Sequence, residues 1–155
     1  MKKKISLLVF LFVAIFNCMA QDYNLEFAGV GDGGNYFVKV TAILSKKEYK
    51  ASQDWLKRLA VDGVMFRGVG GGAGYNAQKA LINDPAVRDT KAEFFTLFNK
   101  EKKYLDFCNL KSSSVVATKL PKGKYEVSGN VLVDKEKLLQ YLMDNGIVSG
   151  MNNLW

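Results

Sequence analysis

The strongest constraint on the fold is an apolar segment near the start of the chain that three lysines precede. Lys2–Lys4 precede a stretch from residue 5 to residue 16 that is apolar except for Ser6, and polar residues follow from Gln21. This order is typical of a secretory signal peptide. A membrane-spanning helix needs about 20 apolar residues, so the run is too short to remain in a bilayer. We therefore predict a signal peptide over residues 1–20 and one domain over residues 21–155, without a transmembrane span.

The cleavage site follows from the residues at the end of the leader. Signal peptidase requires small side chains one and three residues before its cut, and Ala20 and Cys18 meet that requirement. Cleavage between Ala20 and Gln21 predicts a periplasmic or secreted protein. In the alternative interpretation Cys18 is a lipid-anchored cysteine, although Phe16 and Asn17 stand where that processing prefers small residues.

The remaining cysteine content and the absence of histidine exclude several kinds of site. Without Cys18, Cys108 has no partner for an intramolecular disulfide, and we expect it to be a buried small apolar group. The chain has no histidine, which removes Ser-His-Asp and Cys-His catalysis and ordinary zinc sites. The sequence therefore predicts no catalytic, metal-binding or cofactor-binding residues, and a protein that is not an enzyme.

The charge of the chain favours some partners over others. The net charge is +7 and only three residues are arginine, namely Arg58, Arg67 and Arg88. Phosphate recognition favours the forked guanidinium group, whereas lysine acts as a point charge. A lysine excess therefore predicts solubility first, weak attraction to anionic lipid or polysaccharide second, and no nucleic-acid binding. The lysines at 100–103 and at 119, 122 and 124 could together form a basic patch, but they are interpreted as a solvated helix end and a turn.

Hydrophobic periodicity and turn residues predict seven main elements after an edge strand through Tyr23, Leu25 and Phe27. Asp134 and the capping-box spacing from Ser45 to Glu48 mark two helix starts. The seven elements are a strand at 36–44, a helix at 47–62 ended by Gly63, a strand at 64–69, a helix from Asp84-Pro85 to Asn99, a strand at 104–110, a strand at 124–133, and a helix from Asp134 to Asn145-Gly146.

This order, β-α-β-α-β-β-α, predicts a single α+β domain with helices layered on one sheet. A right-handed crossover from the strand at 36–44 to the strand at 64–69 would make that pair parallel. The strands at 104–110 and 124–133, joined by a loop over 111–122, are expected to be antiparallel. The sheet is therefore predicted to be mixed.

A glycine-rich segment offers a nucleotide-like motif and a binding loop as alternatives. Residues 68–73 fit the pattern G-x-G-x-x-[GA] after a predicted strand, but no strand that ends in an acid lies about 20 residues further on, as the ribose contact requires. We therefore interpret the segment as a mobile loop that carries no cofactor. Loops often bind partners, and the predicted partner-contact residues are Gly70, Gly71, Gly72, Tyr75 and Trp155.

Two other hypotheses rest on acidic and apolar residues. A small periplasmic hydrolase could cleave a glycan with a carboxylate pair, and Asp32, Glu26 and Asp62 are the candidate acids because they flank strands or glycine turns. A lipid-binding or inhibitor module would instead require an apolar cavity or an exposed apolar patch. The aromatic run Phe94-Phe95-x-x-Phe98 fits a packed core better than a ligand cage.

Several segments carry a resemblance to known proteins. Phe37–Val40, Gly63–Gly68, the Phe94-Phe95-x-x-Phe98 run and Gly146–Gly150 together resemble a group of small, exported, uncharacterised proteins of Bacteroidetes. The order of elements is more loosely similar to the flagellar-assembly-type domain of some small envelope lipoproteins. The resemblance implies an α+β envelope protein and brings no catalytic residue.

Taken together, these features predict an exported cell-envelope protein that binds a partner without catalysis. The expected partner is another envelope protein or a surface polymer, and the chain is expected to act alone or as a homo-oligomer. The glycan hydrolase and the lipid-binding or inhibitor module remain alternatives.

Overall fold

The computed structural model describes residues 23–30 and 35–149. The predicted signal peptide, its cleavage site, Cys18, Asp32 and Trp155 lie outside these residues. Within them the chain forms one α+β fold with five strands and five α-helices. In chain order these are β1 (Tyr23–Val30), β2 (Tyr36–Ser45), α1 (Lys46–Tyr49), α2 (Ser52–Phe66), α3 (Val87–Thr90), α4 (Ala92–Lys100), β3 (Cys108–Leu110), β4 (Val116–Lys119), β5 (Lys124–Val133) and α5 (Lys135–Asp144).

All pairs in the five-stranded sheet are antiparallel. The strand order is β1-β2-β5-β3, and β4 pairs with β5 beside β3. The β2–β5 ladder is the longest, running from Tyr36 opposite Val133 to Ser45 opposite Lys124. The predicted mixed sheet is therefore wrong, because no parallel crossover strand joins β2.

β3 and β4 behave as one strand that is interrupted beside β5. The backbone N–H of Lys111 still donates to the carbonyl of Asn130, at 2.9 Å. The N–H of Asn130 then donates to the Ser114 hydroxyl, at 2.8 Å, instead of to a backbone carbonyl. The chain bulges over these residues and pairing resumes at Val116 opposite Ser128. The segment predicted as a loop over 111–122 thus contains β4, which sequence pattern did not reveal.

One face of the sheet and the apolar face of α2 enclose the core. Alternate residues of β2 and β5 are buried while their neighbours are more exposed, as period-two patterning predicts for a sheet with one covered face. Leu56 and Val64 of α2 meet this face. The buried apolar side chains with at most 1% exposure include Val38, Val40, Ala42, Leu44, Leu56, Ala60, Val61, Val64, Leu81, Val127, Val131, Val133, Leu138 and Leu142.

The predicted strand at 64–69 is wrong, because α2 continues through Gly63 to Phe66. Gly63 does not end the helix; it lies against β1. A Cβ atom placed there would lie 1.8 Å from Cδ1 of Leu25. The glycine therefore permits close packing of a helix on a strand. In the sequence, a glycine that permits close packing cannot be distinguished from a glycine that ends a helix.

Two further elements differ from their predicted bounds. The predicted helix from Asp84-Pro85 to Asn99 is divided into α3 and α4 at Lys91. The predicted strand at 104–110 begins as a 3₁₀ helix over Lys103–Phe107, and only Cys108–Leu110 is extended. β5 and α5 are confirmed, and the Asp134 side chain accepts from the N–H of Lys137 at 2.9 Å as the predicted cap. Among the described helices, none has the length and apolar character that crossing a bilayer requires.

Candidate functional site

Six exposed lysines lie at one end of the sheet. Three come from α1 and the residue after it, and three from the β4–β5 hairpin. The antiparallel registers bring these segments together, because Ser45 is opposite Lys124 and Lys119 is opposite Tyr125. We call this surface the lysine end, and its members are Lys46, Lys47, Lys50, Lys119, Lys122 and Lys124.

A capping box fixes the helix that carries half of the lysine end. The N–H of Ser45 donates to the Glu48 carboxylate at 2.8 Å, and the N–H of Glu48 donates to the Ser45 hydroxyl at 3.4 Å. This reciprocal pair holds the first turn of α1 directly after β2. The box also engages the one carboxylate that α1 contains.

A stacked tyrosine pair lies between the two lysine-bearing segments. The rings of Tyr49 and Tyr125 are 4.1 Å apart between centroids and 6° from parallel. Tyr125 is half-buried against the core and is paired with Leu44 in the sheet. Tyr49 covers it from outside and remains 36% exposed. The lysine end therefore combines positive charge with an ordered aromatic surface.

Lys122 occupies a backbone conformation that lysine disfavours. It lies at the tip of the β4–β5 hairpin with φ 60° and ψ 27°, where glycine or asparagine is the usual residue. The left-handed conformation costs a residue with a Cβ atom about 1–2 kcal/mol. The hairpin is closed by the N–H of Leu120 donating to the carbonyl of Lys124 at 2.8 Å. The exposed turn therefore carries a positive charge on a strained residue.

The other basic run is neutralised locally. Lys102 binds Asp54 at 3.0 Å and Lys103 binds Asp106. In the described part of the chain, no salt bridge involves a lysine of the lysine end. Thus the structure does not join Lys100–Lys103 to the lysines at 119, 122 and 124. It joins those three to Lys46, Lys47 and Lys50, which the sequence interpretation did not include.

The candidate carboxylates do not come together. The side chain of Asp62 on α2 accepts from the hydroxyl of Tyr23 at 2.9 Å and from Arg88 at 2.8 Å. Burial and the charge of Asp62 raise the pKa of Tyr23, so its hydroxyl stays protonated and donates. Glu26 alternates with Tyr23 along β1 and therefore lies on the opposite sheet face, where Asn24 donates to it at 2.8 Å.

Cys108 is a structural thiol on the packed side of β3. It is half-buried, and its Sγ donates to the carbonyl of Tyr104 at 3.3 Å. Burial raises the pKa of the Cys108 thiol to about 11. The reactive thiolate is therefore scarce near neutral pH. Within the described residues, no three Cys, Asp or Glu side chains gather in a way that could hold a metal ion.

The glycine-rich segment forms a small hairpin against the edge of β1. Gly72 and Tyr75 exchange backbone hydrogen bonds of 3.2 and 2.9 Å, and Ala73 and Gly74 have φ of 50° and 83°, as in a type I′ turn. The N–H of Gly70 donates to the carbonyl of Leu25 at 3.0 Å. The motif at 68–73 is part of this hairpin, and the next helix begins only at Val87, whereas a dinucleotide site requires a helix directly after the glycines.

Close packing accounts for the glycines of this hairpin. A Cβ atom at Gly72 would lie 2.5 Å from the carbonyl oxygen of Phe27, and one at Gly68 would lie 2.4 Å from that of Gln78. Tyr75 packs its ring on Phe27 with centroids 4.9 Å apart and remains 45% exposed. The predicted partner contact at Gly70, Gly71, Gly72 and Tyr75 stays a prediction.

The aromatic run on α4 is confirmed as core. Phe95 and Phe98 are 7% and 3% exposed, and Phe94 meets Phe95 edge-on at 5.1 Å. Tyr141 of α5 lies 5.1 Å from Phe107 between ring centroids and completes the cluster. These rings join α4 and α5 and leave no open aromatic cage between them.

No family model, curated protein or solved structure matches the chain.

Proposed function

We propose that this chain is an exported, non-enzymatic binding module that takes an anionic partner at the lysine end. The observation that carries the proposal is the gathering of six exposed lysines at the end of the sheet that carries the Tyr49–Tyr125 pair. These lysines come from two segments about 70 residues apart in the chain, and the β2–β5 register brings them together.

Electrostatics supports binding at this end rather than general solubility alone. Like charges that lie close together without salt bridges repel one another, and an approaching polyanion relieves that repulsion. At 0.1 M salt the screening length is about 10 Å, so neighbouring lysines still act together on one ligand. A polyanion that binds here releases counterions, which makes affinity depend steeply on salt.

The other candidate residues do not form a reactive or binding arrangement among the described residues. Glu26 and Asp62 lie on opposite faces of β1 and each is hydrogen-bonded. The raised pKa of Cys108 disfavours a thiolate nucleophile. A carboxylate hydrolase would need Asp32 and a second acid, and a lipid-binding or inhibitor module would need an apolar cavity or an exposed apolar patch. Both remain alternatives without a supporting contact among the described residues.

Charge reversal tests the proposal directly. The variant Lys46→Glu, Lys47→Glu, Lys124→Glu changes three exposed residues of the lysine end. We expect its affinity for labelled dextran sulfate at 0.1 M salt to fall by about tenfold or more, with a flatter salt dependence. Fluorescence anisotropy measures both quantities.

The matched control reverses the same number of charges elsewhere. Lys79, Lys91 and Lys100 are also exposed, and their change to glutamate alters the net charge equally. We expect this control to lose affinity about twofold or less. Equal losses in the two triple variants would mean that net charge, not the lysine end, attracts the polymer, and the proposal would be wrong.

A further inference from the structure

We propose that the anionic partner is an acidic polysaccharide, and that one of its sugar rings packs on Tyr49 while the lysines bind its acidic groups. This inference rests on the proposed function and adds the class of ligand and the role of the tyrosine pair. The observation that supports it is the ring of Tyr49, which is exposed to solvent, stacks on Tyr125 and belongs to a helix fixed by a capping box.

The Tyr49 ring is ordered before any ligand arrives. Its inner face stacks on Tyr125 at 4.1 Å, and Tyr125 in turn is packed against the core. The capping box of Ser45 and Glu48 fixes the backbone of the turn that carries Tyr49. A ring held in this way loses little conformational freedom on binding, which favours affinity.

Sugar rings fit the chemistry of this surface. A pyranose ring has an apolar face of C–H groups and a polar edge, and it packs that face on a tyrosine ring, which has an apolar body and a polar tip. An acidic polysaccharide repeats such rings with carboxylate, phosphate or sulfate groups beside them. Lysines precede and follow Tyr49 in the chain, and the β4–β5 hairpin adds three more at the same end of the sheet.

The cation type argues against nucleic acid as the partner. The lysine end contains no arginine, although arginine is the side chain suited to bidentate binding of phosphate and guanine. The three arginines of the chain are engaged elsewhere. Arg58 lies over the ring of Trp55 at 5.3 Å, Arg67 over Tyr23 at 4.2 Å, and Arg88 over Phe66 at 3.9 Å. Lysine point charges serve any acidic group and require no fork geometry.

Two polymers with the same acidic group separate the roles of charge and ring. Polygalacturonate carries carboxylates on sugar rings, whereas poly-glutamate carries carboxylates on a ringless chain. We expect the unmodified protein to bind polygalacturonate about tenfold more tightly per carboxylate, a difference of about 1.4 kcal/mol. Tyr49→Leu keeps apolar cover over Tyr125, and we expect it to abolish this preference while poly-glutamate binding stays unchanged.

Tyr75→Leu is the matched control. Tyr75 is also an exposed tyrosine that packs on another ring, but it lies on the glycine-rich hairpin, away from the lysine end. We expect this variant to keep the preference for polygalacturonate. Loss of the preference in Tyr75→Leu would place the sugar contact at the predicted hairpin site instead and would overturn the inference. Far-ultraviolet circular dichroism and the unfolding midpoint show whether each variant is folded, and a destabilised Tyr49→Leu is replaced by Tyr49→Met in the same assay.

The outcomes distinguish this inference from the proposed function. Equal affinity of the unmodified protein for the two polymers, or an equal loss for both in Tyr49→Leu, overturns the polysaccharide inference. The proposed function survives either result if the Lys46, Lys47 and Lys124 triple variant weakens both polymers. Tighter binding of a single-stranded oligonucleotide or of anionic vesicles than of polygalacturonate at equal salt also overturns the inference.

Discussion

Two hairpins of this protein use unusual backbone conformations for opposite purposes. The glycine-rich hairpin at 69–78 lies against the edge of β1, and its glycines leave room for neighbouring carbonyl groups. The β4–β5 hairpin projects into solvent and places Lys122 at a φ of 60°, where glycine would fit with less strain. Packing dictates the residues of the first hairpin, while packing does not explain the lysine of the second.

The comparison teaches which sequence signal to associate with function. A run of glycines attracts attention as a flexible binding loop, yet here each of Gly68 and Gly72 meets backbone atoms. Lys122 is inconspicuous in the sequence, yet its conformation costs about 1–2 kcal/mol. Ala73 and Lys102 are also left-handed, so the conformation of Lys122 indicates function only together with the other lysines at its end of the sheet.

The largest expected effect tests the packed hairpin. Gly68→Ala places a Cβ atom 2.4 Å from the carbonyl oxygen of Gln78, at a φ of +75°. Strain and overpacking together should lower the free energy of unfolding by about 3 kcal/mol. Urea denaturation followed by circular dichroism measures the change.

Gly74→Ala is the control for that substitution. Gly74 has a φ of +83° but nothing lies within 4 Å of the added Cβ atom. Only the cost of the left-handed backbone conformation remains, and we expect the free energy of unfolding to fall by about 1 kcal/mol. If Gly68→Ala were no more destabilising than Gly74→Ala, the hairpin would not be packed as described and the comparison would fail.

A smaller effect tests the packed side of the sheet through pH. Cys108 is opposite Val133, and its thiol pKa rises from 9.0 to about 11 on burial. Between these values the unfolded chain loses a proton that the folded protein retains, so stability is full below pH 9 and declines as pH rises to 11. We expect this group to contribute about 2 kcal/mol to that decline.

Cys108→Ala isolates the contribution of the thiol. The variant starts less stable near pH 7, and we expect its free energy of unfolding to fall less steeply than that of the unmodified protein above pH 9. Parallel declines would show that the thiol ionises equally in both states. Maleimide labelling of the folded protein should likewise be slow at neutral pH.

The smallest expected effect concerns the exposed hairpin and has the opposite sign. Lys122→Asn gives the left-handed position a residue that tolerates it, and we expect the free energy of unfolding to rise by about 0.5 kcal/mol. The same variant loses one charge and should bind dextran sulfate about twofold more weakly. Stability and affinity are measured on one preparation.

Lys124→Asn is the companion variant, because Lys124 has an ordinary extended conformation with φ −90°. It should lose similar affinity without any gain in stability. A higher free energy of unfolding in both variants, or a lower one in Lys122→Asn, would contradict the argument. In either case the left-handed conformation would not be a cost that the charge of Lys122 offsets.

Sequence pattern predicted the elements whose periodicity and caps agree. β5 alternates buried and more exposed residues from Val127 to Val133, and α5 begins at its predicted cap, Asp134. The prediction of a strand at 64–69 was wrong because a short apolar run has no periodicity that distinguishes a strand from the buried end of a helix. Gly63 fits both a helix stop and a close contact, so it did not decide between them.

The remaining features depend on contacts distant in sequence. All four residues of β4 are exposed, so the strand has no buried face from which a pattern could arise. The lysine end requires the β2–β5 register, which places Ser45 opposite Lys124. An antiparallel pairing of the predicted strands at 36–44 and 124–133 would have brought the lysines of the lysine end together. The sequence analysis instead paired the strand at 36–44 with the predicted strand at 64–69.

The unequal edges of the sheet limit how copies of this protein can associate. The outer side of β1 is occupied, since Arg67 donates to the carbonyl of Tyr23 and Gly70 bonds with Leu25 and Phe27. Among the described residues only β5 pairs with β4, so no described strand covers the outer side of β4. Edge-to-edge growth through a sheet with one closed side ends after two molecules. This geometry opposes fibrils, and the positive charge of Lys119 opposes even the first such pairing.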